Sequence, residues 1–361
     1  MSRSISALDA RKFMQEYIIN METKEELKNM PKNSFYLKGQ PGVGKSDIVK
    51  QLTAYIGEKL NKKAILRDVR LLNMSNVEVR GIPAANADKT KAVWLKPEIF
   101  DFDPSDDVIY VLFLDELSAC PPSLQASAYQ IVLDRRIGEF KIPDNVYIIA
   151  AGNRVMDKSV AYKMPKALAN RLIQLEIGVD FDAWKVWAMQ NSINEKIIGF
   201  LNFKKSMLCP KDDGKQGDAF ATPRSWEIAS RLLTIYGSNN VDDIGDLLAG
   251  TIGDGAYSEF SQYTKIYTSL PNIDDILDGK DIECPRNPSV LYALCSSLST
   301  RVMKVNTKQL ENILRFTDKM SDEFAVLTVK DMMLVKGAAA KLQKTPYFKE
   351  WSKARTSLIL D

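Results

Sequence analysis

The sequence contains no histidine in 361 residues. That removes every mechanism that needs an imidazole as base or ligand: Ser-His-Asp and Cys-His nucleophile systems, and most catalytic zinc sites. Carboxylates, lysine, arginine and metal-bound phosphate chemistry remain. Cysteine is scarce too. Cys120, Cys209, Cys284 and Cys295 are scattered with no C-x-x-C spacing, so neither a zinc site nor a disulfide framework is indicated and packed, reduced thiols are expected. Long apolar runs are also missing. The longest near the middle, Val108 to Leu114, is far too short to cross a bilayer, and the N-terminus carries no basic-then-apolar signal segment. No membrane is expected, and a cytoplasmic location is the default. Charge of one sign is lacking as well. A net charge of +3 over this length argues against nucleic acid as a partner, and pairs such as Lys62-Lys63 and Lys204-Lys205 read as solvated faces. With 45% hydrophobic and 26% charged residues, the chain has the composition of a soluble globular protein with room for two or three domains.

What is present is sharper. The run Gly39-Gln40-Pro41-Gly42-Val43-Gly44-Lys45-Ser46 fits the phosphate-cradling pattern G-x-x-x-x-G-K-[ST] at every fixed position. Its glycines let backbone N–H groups close around phosphate oxygens. Lys45 supplies charge for the β/γ-phosphates, and the Ser46 hydroxyl can ligate Mg²⁺. Ser34 to Leu37 reads as a buried strand before the loop. Ile48, Val49, Leu52, Tyr55, Ile56 and Leu60 recur at helical spacing after it. Strand, loop and helix together aim the positive end of a helix dipole at the phosphates.

Val108 to Leu114 followed by Asp115-Glu116 reads as a Walker B strand: continuously apolar because both faces are buried, with acids at the carboxyl end where open α/β sheets bind ligands. Asp115 is placed to hold Mg²⁺, and Glu116 to polarise the water that attacks the γ-phosphate. Alone, an acidic pair could merely end a strand and cap a helix; beside a phosphate loop the chemical role is favoured. A third apolar strand, Asn145 to Ala151, leads to Gly152-Asn153-Arg154. Phosphate loop, acid-terminated strand, then strand ending in Asn is an order that resembles AAA+ ATPases. The resemblance implies that Asn153 is sensor 1, orienting the attacking water.

Pro165 to Leu172 (Pro-Lys-Ala-Leu-Ala-Asn-Arg-Leu) resembles the "ALxNRF" segment of the MoxR-like branch, with Leu172 where Phe is common. The resemblance makes Arg171 the candidate arginine finger, reaching the γ-phosphate held by a neighbouring subunit. Ala221 to Glu227 (Ala-Thr-Pro-Arg-Ser-Trp-Glu) is similar to the sensor 2 segment, with Thr222 capping a helix, Pro223 in its first turn and Arg224 facing nucleotide. Glu78-Val79-Arg80-Gly81-Ile82-Pro83 through Val93-Trp94-Leu95, around the polar turn Asn86 to Lys91, reads as a hairpin and resembles the branch's "DLRGLP" region. By that resemblance it is the helix 2 insert facing a ring's central opening. Arg135 to Pro143 resembles the hairpin before sensor 1.

Beyond Glu176 the sequence changes character. Phe181 to Met189 begins a helical region whose Trp184, Trp187 and Ala188 read as core. Lys204 to Ala219 reads as an exposed loop, with Asp212-Asp213-Gly214 and Gly217-Asp218. Pro271 to Pro288 reads as a linker, and Lys308 to Leu360 as helical again, with Leu310, Ile313, Leu314 and Phe316 along it.

The expected architecture is therefore an α/β AAA+ P-loop domain over residues 1–178, its parallel sheet flanked by helices in the order 5-1-4-3-2 by analogy with the superfamily. An all-α lid and helical C-terminal extension would fill residues 179–361. The resemblance implies hydrolysis of ATP with Mg²⁺ in a homo-hexameric ring that remodels or assembles a protein client, such as a von Willebrand factor A-type partner. A nucleic-acid motor or loader on the same core, and a nucleotide-gated scaffold, are the alternatives.

Overall fold

Continuously apolar strands need cover on both faces. The computed structural model, which describes residues 4–154, 162, 164, 166–210, 217–237 and 240–356, supplies it. Strands β1 (Ser4–Ile5), β2 (Ser34–Lys38), β3 (Lys63–Arg70), β4 (Ile82–Ala85), β5 (Ala92–Leu95), β6 (Val108–Asp115), β7 (Arg136–Ile137), β8 (Phe140–Lys141), β9 (Val146–Gly152) and β10 (Leu172–Ile177) are accompanied by helices α1 (Ala7–Thr23), α2 (Lys45–Leu60), α3 (Asn76–Arg80), α4 (Pro122–Tyr129) and α5 (Lys166–Ala169). Among the described residues the main sheet is all parallel in the order β1-β10-β2-β9-β6-β3. Numbering β2, β3, β6, β9 and β10 as one to five gives the expected 5-1-4-3-2. The structure adds β1, a two-residue strand beyond β10, too short to leave a periodic signal in the sequence.

Side chains on a strand alternate between faces, and the two cores divide on that rule. Ile109, Val111 and Phe113 of β6, Tyr147, Ile149 and Ala151 of β9, and Phe35 and Leu37 of β2 pack with Met14 and Ile18 of α1 and Val49, Leu52 and Ile56 of α2. The alternate residues, Tyr110, Leu112 and Leu114, Val146, Ile148 and Ala150, and Tyr36, face the opposite core with Leu124 and Ala128 of α4. Phe113 is 1% exposed, so Phe113→Ala would cost about 3–5 kcal/mol.

The first hairpin is shorter than its sequence suggests. β4 and β5 pair antiparallel from Ile82–Leu95 to Ala85–Ala92, but Glu78, Val79 and Arg80 belong to α3. The reason is a capping box: the Ser75 hydroxyl accepts from the Glu78 N–H, and the Glu78 carboxylate accepts from the Ser75 N–H at 2.6 Å, which satisfies two helix-end donors at once. The second hairpin, β7 with β8, follows a π-turn at Gln130–Asp134. Arg135 pins its base by donating to the Pro143 and Val146 carbonyls at 2.8 and 2.7 Å.

The chain forms two units, Met1–Asp180 and Phe181–Asp361. The second is helical among its described residues, beginning with α6 (Phe181–Gln190), α7 (Glu195–Phe203) and α8 (Pro223–Tyr236). Phe200, Trp226 and Phe260 pack as tilted and edge-to-face pairs with centroids 5.5–5.6 Å apart in its first core. Leu310, Ile313, Leu314 and Phe316 are buried in its second. Trp184 and Ala188 are buried, Trp187 partly. Lys185 bridges the fully buried Asp331 at 2.5 Å. Two segments expected to be loose are partly built: Lys205–Leu208 is a 3₁₀ turn that buries Leu208, and Ile273–Leu277, inside the expected linker, is a helix that buries Ile276. Pro165, Asp212-Asp213-Gly214 and the last residues toward Leu360 lie outside the described residues. The four cysteines are free, Cys120 and Cys295 fully buried. No helix among the described residues is long and apolar enough to cross a membrane.

One polar cluster ties α1 to the sheet. Glu22, at the end of α1, accepts from the Tyr147 hydroxyl at 2.7 Å and from Lys32 and Lys62 at 2.9 Å each. Burial alone would raise the Glu22 carboxyl, but these three donors outweigh it and bring it from its ordinary 4.5 down to about 2. Burial meanwhile pushes the Lys32 ammonium down, so the net gain is smaller than the Glu22 shift alone implies. A carboxylate with a depressed folded pKa stabilises above its unfolded value and loses that contribution as pH falls toward the folded value. The melting-temperature gap between wild type and Glu22→Gln should therefore be widest above pH 4.5 and close as pH falls toward 2. A gap constant from pH 6 to 2 would contradict this.

Candidate functional site

Parallel register carries the carboxyl ends of β2, β9 and β6 to one edge of the sheet: Lys38 lies opposite Gly152, and Leu114 opposite Ala150. The glycine loop leaves β2 at this edge. Gly42 and Gly44 have φ of 77° and 92°, and Gly44 is the N-cap of α2 with no side-chain cap. A side chain there would be strained, and the uncapped N–H groups of a 16-residue helix form the positive end of its dipole.

Lys45, 8% exposed, is the hub of the edge. Its Nζ donates to the Gly39 and Gln40 carbonyls at 2.7 and 3.0 Å and to the Asn153 Oδ1 at 3.0 Å. Because lysine only donates, the Asn153 carboxamide must turn its oxygen toward Lys45, leaving its NH₂ directed away. The neighbouring Ser46 hydroxyl donates to the Asp115 Oδ2 at 2.9 Å, and the Asp115 Oδ1 accepts from the Glu116 N–H at 2.9 Å. Val43 is buried against α2, while Pro41 lies half-buried in the loop. The predicted residues Gly39, Gln40, Pro41, Gly42, Val43, Gly44, Lys45, Ser46, Asp115, Glu116 and Asn153 thus share one edge.

Glu116 is exposed and sits at φ 57°, ψ 28°. Left-handed backbone is uncommon for a residue with a Cβ, and such strain collects where function over-determines the geometry. It turns the chain out of β6 into the 3₁₀ turn Leu117–Ala119. Nearby, burial and then the charge of Glu116 push the Cys120 thiol up to about 11, so it stays neutral and unreactive at physiological pH.

Of the remaining predicted residues, one belongs to the same unit as this edge and one to the second unit. Arg171 is exposed, immediately before Leu172, which pairs with Ser34 at the amino end of β2. The phosphate loop begins past Lys38, at the other end of that strand, roughly 13 Å away at the usual rise per residue. Arg224 is exposed in the first turn of α8, in the second unit; Thr222 caps that helix in a capping box with Ser225.

The structure also adds residues. Arg154 donates to the Gln40 side chain at 3.0 Å and approaches Glu176 of β10 at 3.7 Å, linking the loop to the neighbouring strand. Ser118 accepts from the Asn153 N–H at 2.9 Å. Both contacts join residues far apart in sequence, and the only local signal was the Gly152-Asn153-Arg154 run itself.

An all-parallel sheet with a glycine loop feeding a helix, an acid-ended strand and a polar strand end at the same edge defines a P-loop nucleotide-binding fold. Residues 35–177 match the family described as ATPase family associated with various cellular activities (AAA). These residues form an AAA ATPase domain, whose reaction is ATP hydrolysis. Among solved structures it is similar to the Aeropyrum pernix ORC2 protein at 10% identity, covering 96% of this chain and 95% of that one with a TM-score of 0.41. It is similar to C. elegans PCH-2 at 15% identity, covering 73% and 69% with a TM-score of 0.37. A Thermotoga maritima RuvB mutant is 15% identical over 86% and 89%, with a TM-score of 0.33. At these scores none of the three decides anything; the assignment stands on the sheet order and the family match. No curated protein sequence matches significantly.

The strained backbone gives a direct test. Asn tolerates left-handed backbone better than Glu, so Glu116→Asn should raise stability by about 0.5–1 kcal/mol while abolishing ATP turnover. Chemical denaturation and phosphate release measure the two. Lower stability would mean that the backbone at Glu116 is not strained.

Proposed function

We propose that the protein is a ring-forming, Mg²⁺-dependent AAA+ ATPase of the MoxR-like kind that spends ATP on remodelling or assembling a protein client. The observation that carries the catalytic part is the convergence of Lys45, Ser46, Asp115, Glu116 and Asn153 at one sheet edge. Lys45 binds the β/γ-phosphates. The Ser46 hydroxyl and Asp115 carboxylate are a hard oxygen pair that fits Mg²⁺, and both would hold it. Bound there, the ion would supply neutralisation of the charge on the triphosphate. Glu116, exposed beside Asp115, polarises the attacking water as general base. Asn153, its oxygen turned to Lys45, uses its NH₂ to orient that water.

Arg171 is assigned as the arginine finger. Its place at the far end of β10 from its own phosphate loop supports action on a neighbouring subunit, and a head-to-tail interface repeated in this way closes a ring. A hexamer is the ring we favour. Arg224 is assigned as sensor 2 from the lid. The remodelling part draws support from the first hairpin: Ile82, Val93 and Leu95 are 59%, 43% and 57% exposed, an apolar surface suited to a protein client rather than to nucleic acid. A von Willebrand factor A-type protein is the partner class the MoxR-like resemblance suggests.

Mixing experiments test the shared site. Glu116→Gln and Arg171→Ala should each lower turnover at least about a hundredfold alone. Mixed, they should recover activity, because a subunit with an intact Glu116 can then receive Arg171 from a Glu116→Gln neighbour. Wild-type turnover per subunit should rise with concentration. No recovery on mixing, together with full activity of Arg171→Ala, would remove the trans-acting finger.

A further inference from the structure

The acid-bearing and asparagine-bearing strands are not joined only by the sheet. β6 ends in Asp115, and two residues beyond Glu116 the chain places Ser118, 6% exposed, in the 3₁₀ turn Leu117–Ala119. Its hydroxyl accepts the Asn153 N–H at 2.9 Å. The Tyr36 hydroxyl on β2 lies close to the same group; the residue is 4% exposed, and burial pushes its phenol up to about 12, so it stays protonated. Gly152, just before Asn153, leaves the room for this meeting: a Cβ there would stand 2.3 Å from the Tyr36 hydroxyl and 2.7 Å from the Ser118 Oγ. Residues of β2 and the ends of β6 and β9 therefore meet around one serine hydroxyl. Ser118 is two peptide units from Glu116 and one hydrogen bond from Asn153.

We propose that Ser118, seated on Tyr36 and admitted by Gly152, is a positioning residue for ATP hydrolysis: it fixes the spacing between the general base Glu116 and the water-orienting Asn153. This rests on the catalytic roles given above. Physically, β6 and β9 are hydrogen-bonded to one another only as far as Leu114 and Ala150, and both Glu116 and Asn153 lie past that point. Ser118 joins them directly, where the other connection is the longer one from Asn153 through Lys45, Ser46 and Asp115. A misplacement of about 1 Å at a reacting centre can cost on the order of a hundredfold in rate, so a single hydroxyl at this junction has leverage on kcat. Lys45 and the glycine loop are untouched, so nucleotide affinity has no reason to change.

The test is a cycle of Ser118→Ala, Asn153→Ala and the double variant, with Tyr36→Phe as a second perturbation of the same junction that keeps the ring in the core. Steady-state phosphate release gives kcat and KM, and a fluorescent ADP analogue gives Kd. Ser118→Ala should lower kcat roughly ten- to a hundredfold with Kd within about twofold of wild type, and Tyr36→Phe should lower it by less. In the Asn153→Ala background, Ser118→Ala should add nothing, because the carboxamide whose position it sets is gone. Wild-type kcat in both Ser118→Ala and Tyr36→Phe would overturn the proposal, and so would a Ser118→Ala loss that multiplies with that of Asn153→Ala. If Ser118→Ala does not fold, Tyr36→Phe decides: reduced kcat at unchanged Kd supports the proposal and wild-type kcat overturns it. Failure of the underlying catalytic assignment looks different, because Asn153→Ala itself would then turn over at the wild-type rate.

Discussion

The arrangement depends on where one ammonium group is held. Lys45 sits at the first position of α2, and its Nζ gathers two carbonyls of its own loop and the side chain of a residue 108 positions away. The positive end of the α2 dipole lies at the same place. A buried cation must be surrounded by oxygen, and satisfying Lys45 draws the loop closed and brings Asn153 to it. Phosphate oxygens can take over those contacts at little structural cost.

The sheet is the instrument that makes this convergence possible. Parallel strands order their carboxyl ends along one edge, and the two cores hold that edge firmly because β6 and β9 bury alternate residues on opposite faces. The chemistry then sits just beyond the last ladder hydrogen bonds, where backbone geometry is set by turns. Glu116 takes left-handed backbone there, and Ser118 crosses to Asn153. The same sheet puts Arg171 at the opposite end of the strands from the phosphate loop, which is the ground for proposing that it serves a neighbouring copy.

Much of this was legible in the sequence for a physical reason: the phosphate loop is a local motif, and β6 and β9 announce themselves by apolar runs ending in polar residues. The capped helix at Pro223 was equally readable. What escaped notice is non-local or very short. Two residues of β1 carry no periodicity, and the Ser75 capping box converts a stretch that looked like hairpin into helix. Ile276 draws part of an expected linker into a core. Arg154, Ser118 and Tyr36 act through partners 114, 35 and 82 positions distant, a relation that no spacing rule contains.

The central claim is that the Lys45 edge binds the triphosphate. Isothermal titration of ATP, with Mg²⁺, into wild type and Lys45→Ala tests it most directly. The account predicts saturable binding to wild type and affinity weaker by at least about a hundredfold in the variant, equivalent to roughly 2.7 kcal/mol. Equal affinity in the two proteins would contradict it.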